Sequence, residues 1–459
     1  MLFRKSQTLL VSLAATSQLV VAQSIINTDV VIIGGGSSGT YAAIQLTDQG
    51  KNVVVVEKQS DLGGHAETYT DPATNGKINV GVQAFHNTPI VTTYATRLGV
   101  TMAPISYDTP GLNSSTVNIA TAQYLNDPTA NPNLQAALGK YIQLYLTNYA
   151  YLNTGVYLPN PVPADLLMSF GDFAKKHEIE PVVFFFNLFT QGWDISKVPT
   201  VYALVTVNLS LLNSIATNTL LGTTDTNDLY TSAASILGSK VLYNADIVLV
   251  QRGNTDVTVK VRQGLSFKII KAKKLLMAAP PTLDNLLGWD LTLQELKLFS
   301  KLKGVGYYAA VVSNPSFPDN TSFRNAVPSN VNQFNLAGLP GIFSISNTDF
   351  PGKVRTVTYG TQVFLPKELV APVVLNDINN FLRKAGFGNG RTEILDWHSH
   401  GPYNLQVSAN DIKNGYYAEL FGLQGQKSTF WTGAAWRAQD SSMLWEFTQG
   451  LIGSIISGL

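Results

Sequence analysis

The segment TDVVIIGGGSSGTYAAIQLTDQGKNVVVVE, residues 28–57, limits the fold more than any other. An apolar strand runs into a glycine-rich turn, a helix of small and apolar residues, and a second strand that ends in an acid. Gly34, Gly36 and Gly39 have G-x-G-x-x-G spacing. The first makes a tight turn, the second lets backbone approach a pyrophosphate, and the third allows close helix packing. The helix start, which includes Ser38, offers unpaired N–H groups and a partial positive charge to a diphosphate. Glu57 closes the second strand, where a carboxylate accepts hydrogen bonds from a ribose. These features predict an α/β fold, doubly wound about a parallel sheet, with a dinucleotide at its strand ends.

The residues after Glu57 point to the kind of dinucleotide. Residues 53–70, VVVVEKQSDLGGHAETYT, resemble the flavin amine oxidase superfamily, in which the ribose-binding Glu precedes a Gly-Gly-Arg segment that lines the FAD diphosphate. Gly63 and Gly64 stand in that place, and His65 replaces the Arg. INVGVQAFHN, residues 78–87, resembles the family's next element, which passes the flavin ring. Residues 245–281 resemble its β-meander, whose first strand, here Ile247 and Val248, offers backbone groups to adenine. The C-terminal STFWTGAAWRAQDSSMLWEFTQGLIGSI resembles the strand, turn and helix that close over the ribityl chain and pyrimidine edge. Gly433 matches the turn, Met443 a caging aromatic, and Leu444 a residue whose N–H points at the flavin O2. The resemblance implies FAD as cofactor. It also implies an amine-oxidase-like architecture: a glutathione-reductase-like Rossmann FAD domain (residues 23–110, 230–290 and 390–459) interrupted by an α+β substrate domain (111–229 and 291–389). Helical periodicity over 134–152 and 163–179 and strands over 304–313, 341–346 and 354–364 fit that division, and the type of 198–222 stays open.

Departures from the family pattern bear on the chemistry. WHSHGPY, residues 397–403, resembles in shortened form the segment that sets one aromatic against the flavin, and Tyr403 then matches one wall of the aromatic cage, the candidate catalytic residue. Pro402 occupies the position of the flavin-bound Cys of some members. With Met443 at the second wall, the cage is open or completed by Trp397, Trp436 or Trp445. Ala435 replaces an acid that usually bonds the ribityl chain. An open cage suits a larger, more apolar substrate than a small amine. Phe184, Phe185, Phe186, Phe189 and Trp193 line a pocket for one or, more simply, pack the core. Cysteine-free flavoproteins with a Gly-Gly-His segment are similar to the fungal beta-cyclopiazonate dehydrogenase family. That resemblance implies hydride removal from a C–N, C–C or C–O centre of a bulky metabolite, with ring closure in some cases. The alternatives are a redox-neutral flavin isomerase of an unsaturated fatty acid and a flavin-fold protein that binds without turnover. A covalent tether from flavin to histidine has His65 as first candidate and His400 as second; the alternative is that His65 donates to the diphosphate in place of the Arg.

Composition narrows the partners. The 459 residues carry 31 Lys and Arg against 30 Asp and Glu, a net charge of +1, which offers no broad basic surface for nucleic acid or anionic membrane. A small molecule is the expected partner. Arg4 and Lys5 before the apolar Thr8–Val21, closed by small residues through Ala22, predict a signal peptide over residues 1–22 and a secretory route. The run is too short for a transmembrane helix. Sequons at Asn113, Asn208 and Asn320 agree with secretion. There is no cysteine, and the five histidines, at 65, 86, 177, 398 and 400, lack zinc-ligand spacing, so no metal is expected.

Overall fold

Unbroken runs of Val and Ile with no polar face form strands only where both faces are covered, and here they make the centre of a sheet. In the computed structural model, which describes residues 23–105 and 113–459, Val30–Ile33 and Val53–Val56 are buried throughout. The strand Gln23–Ile33 pairs in parallel with Val53–Val56 on one side and with Ser266–Met277 on the other. The sheet order is 245–252, 257–263, 266–277, 23–33, 53–56 and 241–242, and Thr429–Trp431 adds to the end of Ser266–Met277 in parallel. Val30 and Ile32 face a layer of helices, Ser37–Asp48, Asn227–Leu237 and Ser441–Ser457, whereas Val31 and Ile33 face the larger core shared with the helical substrate region. The expected signal peptide lies outside the described residues. No described helix is long and apolar enough to cross a membrane.

A second sheet runs in the order 393–399, 303–313, 354–361, 341–347, 321–325, 113–118 and 123–124. The helix Lys367–Lys384 packs Val370, Val374, Ile378 and Phe381 against one face, onto Tyr308, Ala310 and Val312. Two strands from the stretch assigned to the dinucleotide domain, Glu393–Ser399 and Tyr403–Gln406, pair instead with Lys303–Ser313 in this sheet. Chain order alone places them with the C-terminal closure; the hydrogen-bond ladder places them against the substrate unit.

The helical stretches are more broken than their periodicity suggests. Leu134–Leu144 widens into a π turn over Tyr145–Tyr149 and ends as a 3-10 turn, Ala150–Asn153. Residues 163–179 form two short helices, Ala164–Leu167 and Phe170–Lys176, because the Ser169 hydroxyl caps the second by accepting from Asp172 N at 3.1 Å. The open stretch 198–222 holds the helices Thr200–Thr206 and Leu209–Ala216. Asn208 Oδ1 caps the latter, accepting from Leu211 N at 3.0 Å. Asn208 is fully buried, so its sequon is closed to a glycan, whereas Asn113 and Asn320 are exposed.

Candidate active site

Two glycine turns run side by side to form the first half of the site. Gly34 has φ +97°, and a Cβ there would stand 3.0 Å from Ala279 N. At Gly39 a Cβ would meet the Gly34 carbonyl oxygen at 1.9 Å, so the helix can lie this close to the turn only with glycine. Gly36 differs: its Cβ would meet nothing nearer than Gly64 Cα at 3.8 Å. Gly63 N donates to Gly35 O at 2.9 Å, and Gly36 bridges Gly63, so the Gly63-Gly64 turn lies along the first. The helix Ser37–Asp48 starts at Gly36 without a side-chain cap, and Ser38 Oγ is buried with no partner. Glu57, buried at the end of its strand, accepts from Gly35 N at 2.6 Å and Gln59 N at 2.8 Å. Ala245 N donates to the Glu57 carbonyl at 3.0 Å, which brings the strand with Ile247 and Val248 alongside. Val248 sits at a bulge in that strand's ladder. An uncapped helix start, an orphaned buried hydroxyl, bare backbone at Gly36 and Gly64 and a buried carboxylate fit a dinucleotide diphosphate with its ribose.

The C-terminal helix begins at the same place. Ser37 Oγ donates to Ser441 Oγ at 3.0 Å across 404 residues of chain, so the two helix starts converge. The turn before it passes through Gly433 at φ +101°. Asp440 caps this helix: its side chain accepts from Met443 N at 3.0 Å and its carbonyl from Leu444 N at 2.9 Å. Neither amide is therefore open to a ligand, which corrects the expected Leu444 contact. The free donors of an α-helix lie in its first turn, and here those are at Ser441 and Ser442, three and two residues earlier. Met443 is buried in the main core rather than forming a cage wall. Trp445 stacks on Phe85 and Tyr41, Trp436 stacks on Trp431, and Trp397 packs beside Tyr308 on the helix-covered face of the second sheet, so none of the three stands by Tyr403.

The ring that does stand by Tyr403 is Tyr307, at 4.9 Å between centroids. Strand alternation explains why: in Lys303–Ser313, Tyr308 points at the covering helix and Tyr307 at the opposite face. Gly192 backs both rings, since a Cβ there would lie 2.9 Å from Tyr403 Cδ1 and 3.3 Å from Tyr307 Cβ. Burial raises both phenols well above their usual range, so they remain neutral. Of the phenylalanine cluster, Phe184 and Phe186 are core residues, while Trp193 lines a cavity with Tyr202, Asn404, Tyr417 and Arg437. Arg437 is buried and donates to the carbonyls of Asn153 (2.6 Å) and Val205 (3.3 Å), with Nε unpartnered.

Three of the five histidines gather beside the glycine turns. His65 stacks on His400 at 4.5 Å and lies 6.0 Å from the Tyr403 ring. His400 Nε2 bonds Glu67 Oε2; Glu67 Oε1 pairs with His398 Nδ1 at 3.1 Å, and His398 Nε2 with Asp396 Oδ2 at 2.8 Å. Burial opposes charge on His398, but its bonds to Asp396 and Glu67 prevail and raise it to about 9. Burial also pushes the Glu67 carboxyl up, yet hydrogen bonds from the two histidines hold it at about 2. His65 has no such partner, and burial, then the neighbouring His400, lower it to about 3. Glu67, Asp396, His398 and Tyr307 are site residues that the sequence alone does not single out. The alternation of Asp396 and His398 on one strand face is the legible signal, but Glu67 lies more than 300 residues away.

The comparisons decide what this cradle holds. Residues 37–439 match the family model of flavin-containing amine oxidoreductases. The chain belongs to that family. An FAD-dependent oxidoreductase, oblC, of Cochliobolus heterostrophus is 36% identical over 95% of this chain and 93% of its own. A beta-cyclopiazonate dehydrogenase of Aspergillus oryzae is 35% identical over 95% and 94%. Among solved structures, a fatty acid isomerase from P. acnes superposes with a TM-score of 0.75 at 20% identity, over 93% of this chain and 98% of that one. Putrescine oxidase gives 0.65 at 17%, over 94% and 100%. The protein is thus an FAD-dependent oxidoreductase of amine-oxidase-like fold, and the reading as a binder without turnover falls. Family and cradle agree: the residues around Gly36 and Gly64 suit the diphosphate and Glu57 the ribose.

Proposed function

We propose that the protein oxidises a C–N, C–C or C–O centre of a bulky apolar secondary metabolite, with ring closure where the product carries an internal nucleophile. Bound FAD supplies the two-electron acceptor. The chain's part is to seat the substrate and exclude water. The observation that carries this reading is the whole-length similarity to a beta-cyclopiazonate dehydrogenase. The site agrees with it: the one aromatic pair there, Tyr307 and Tyr403, has ring centroids 4.9 Å apart, too close to act as the two facing walls of a small-amine cage. On this reading Tyr403 borders the flavin ring and the substrate. His65 is the better tether candidate, because its ring nitrogens bond no described residue, whereas His400 is held by Glu67. Secretion, and glycans at Asn113 and Asn320, belong to the same reading and are checked by whether the protein leaves the cell with a shift on deglycosylation.

The test is anaerobic mixing of purified protein with β-cyclopiazonate and a panel of other polycyclic metabolites and unsaturated fatty acids. Loss of flavin absorbance, with peroxide or reduced acceptor formed on aeration, is the expected result. Rearranged product without net acceptor reduction would instead make it an isomerase. Flavin left in the supernatant after acid precipitation would rule out the tether.

A further inference from the structure

We propose that His400, oriented by Glu67, is the proton acceptor of the oxidation, and that His398 and Asp396 keep Glu67 in the ionised form that this role needs. The inference rests on the oxidoreductase reading above. It starts from hydrogen-bond bookkeeping. His398 faces a carboxylate with each ring nitrogen, Glu67 at 3.1 Å and Asp396 at 2.8 Å, so both nitrogens carry hydrogen and the ring is an imidazolium. Glu67 accepts from His398 through one oxygen and from His400 through the other. The hydrogen of His400 is therefore on Nε2, which leaves the Nδ1 lone pair unengaged by any described residue. A carboxylate that fixes the tautomer of an imidazole and stabilises the imidazolium formed on proton uptake is the arrangement that makes histidine a general base.

Burial and neighbours support the direction of transfer. Exposure falls along the set, from 30% at the Asp396 side chain and 21% at His398 to 3% at His400, so the base is at the dry end. The groups around that end are His65, Tyr307 and Tyr403. All three are neutral near pH 7, since burial lowers His65 and raises the two phenols. Lys58 is the remaining charge that acts on His65. Nothing in this ring of groups competes for the proton. At a CH–NH or CH–OH centre, the C–H bond would break with its electron pair, which the two-electron acceptor supplied by FAD, when bound, would take as hydride. The N–H or O–H bond breaks, its proton goes to His400 Nδ1, and a C=N or C=O bond forms.

The histidine count makes a direct test practical. In holoenzyme labelled with ¹⁵N-histidine, five side chains give signals, and single His→Gln variants assign them. At pH 7, His398 should show two protonated nitrogens, and His400 a protonated Nε2 with a bare Nδ1. Glu67→Gln should erase that tautomer preference. A His400 with hydrogen on Nδ1, or doubly protonated from pH 6 to 8, overturns the proposal. The second readout is anaerobic flavin bleaching by β-cyclopiazonate. In His400→Gln the rate should fall about 10²–10⁴-fold, with flavin content unchanged. An unchanged rate also overturns it. If the wild type is not bleached, the substrate reading fails, and the nitrogen signals alone decide the state of His400.

Discussion

The two helix starts that meet at Ser37 and Ser441 are built in opposite ways. The first begins at a glycine with no side-chain cap and keeps a buried, unpartnered serine hydroxyl in its first turn. The second begins at Asp440, whose carboxylate and carbonyl take up the Met443 and Leu444 amides and whose charge faces His86 Nε2 at 3.3 Å. An uncapped positive end left next to bare backbone is poised for an anion; a capped end has its field largely neutralised. The same structural element thus suits two purposes: one end is built to take a doubly charged diphosphate, and the other offers only two donors, at Ser441 and Ser442. The difference lies in one residue, glycine against aspartate.

Substitutions in the first start should have the largest effects. Gly39→Ala puts a methyl 1.9 Å from the Gly34 carbonyl, so the turn and helix must separate. We expect destabilisation of at least about 1–3 kcal/mol, the scale of overpacking, together with loss of flavin, read by thermal unfolding and the flavin-to-protein absorbance ratio. Next comes Glu57→Gln, which should weaken FAD binding by about 1.5–3 kcal/mol, the scale for hydrogen bonds to a charged group, in a fluorescence titration of the apoprotein. Asp440→Ala should leave FAD bound while costing about 1 kcal/mol of stability through the lost cap. Should it release FAD as readily as the Glu57 variant, the contrast between the two ends is wrong.

A smaller effect is expected from pH. His398 is raised from 6.5 to about 9 in the folded chain, so its contribution is fully present below about pH 6.5 and lost as pH rises through about 9. Glu67 is depressed from 4.5 to about 2, so its contribution is present above about pH 4.5 and lost as pH falls toward 2. The melting temperature of the wild type should therefore exceed that of His398→Asn most at pH 5–6.5, and the gap should close near pH 9. A gap that widens with alkalinity would mean that His398 is not the charged bridge between Glu67 and Asp396.

How much of this site is legible in the sequence depends on the range of the interactions. The Gly34–Glu57 unit is local, because its turn, helix and strand are contiguous: the positive φ of Gly34 and the contact of Gly39 with the Gly34 carbonyl both lie within the same thirty residues, whereas the Ala279 contact of Gly34 comes from afar. The expected Leu444 contact is two to three residues too late because resemblance counts positions from Gly433, whereas the helix start is set by where Asp440 can cap. Tyr307 is hidden in a strand that reads as core, because Tyr307 and Tyr308 are adjacent in sequence but point to opposite faces. The Glu67–His400 pair depends on strand Glu393–Ser399 joining the second sheet, a long-range pairing that no local pattern encodes. Cofactor recognition is thus written locally, and the acid–base arrangement is assembled by topology.

The central claim is that the uncapped start at Gly36 holds the FAD diphosphate, and Gly36→Val tests it most directly. Its φ of −73° suits valine, and a Cβ there meets no protein atom closer than 3.8 Å, so the fold should tolerate the change while the side chain enters the ligand's path. The measurement is the visible absorption spectrum of purified wild type and variant, each before and after addition of FAD. The account predicts a yellow wild type with about one FAD per chain, the stoichiometry of a single dinucleotide cradle. It predicts a folded Gly36→Val that is colourless and stays so. A variant with wild-type flavin content, or a colourless wild type that takes up no FAD, would contradict it.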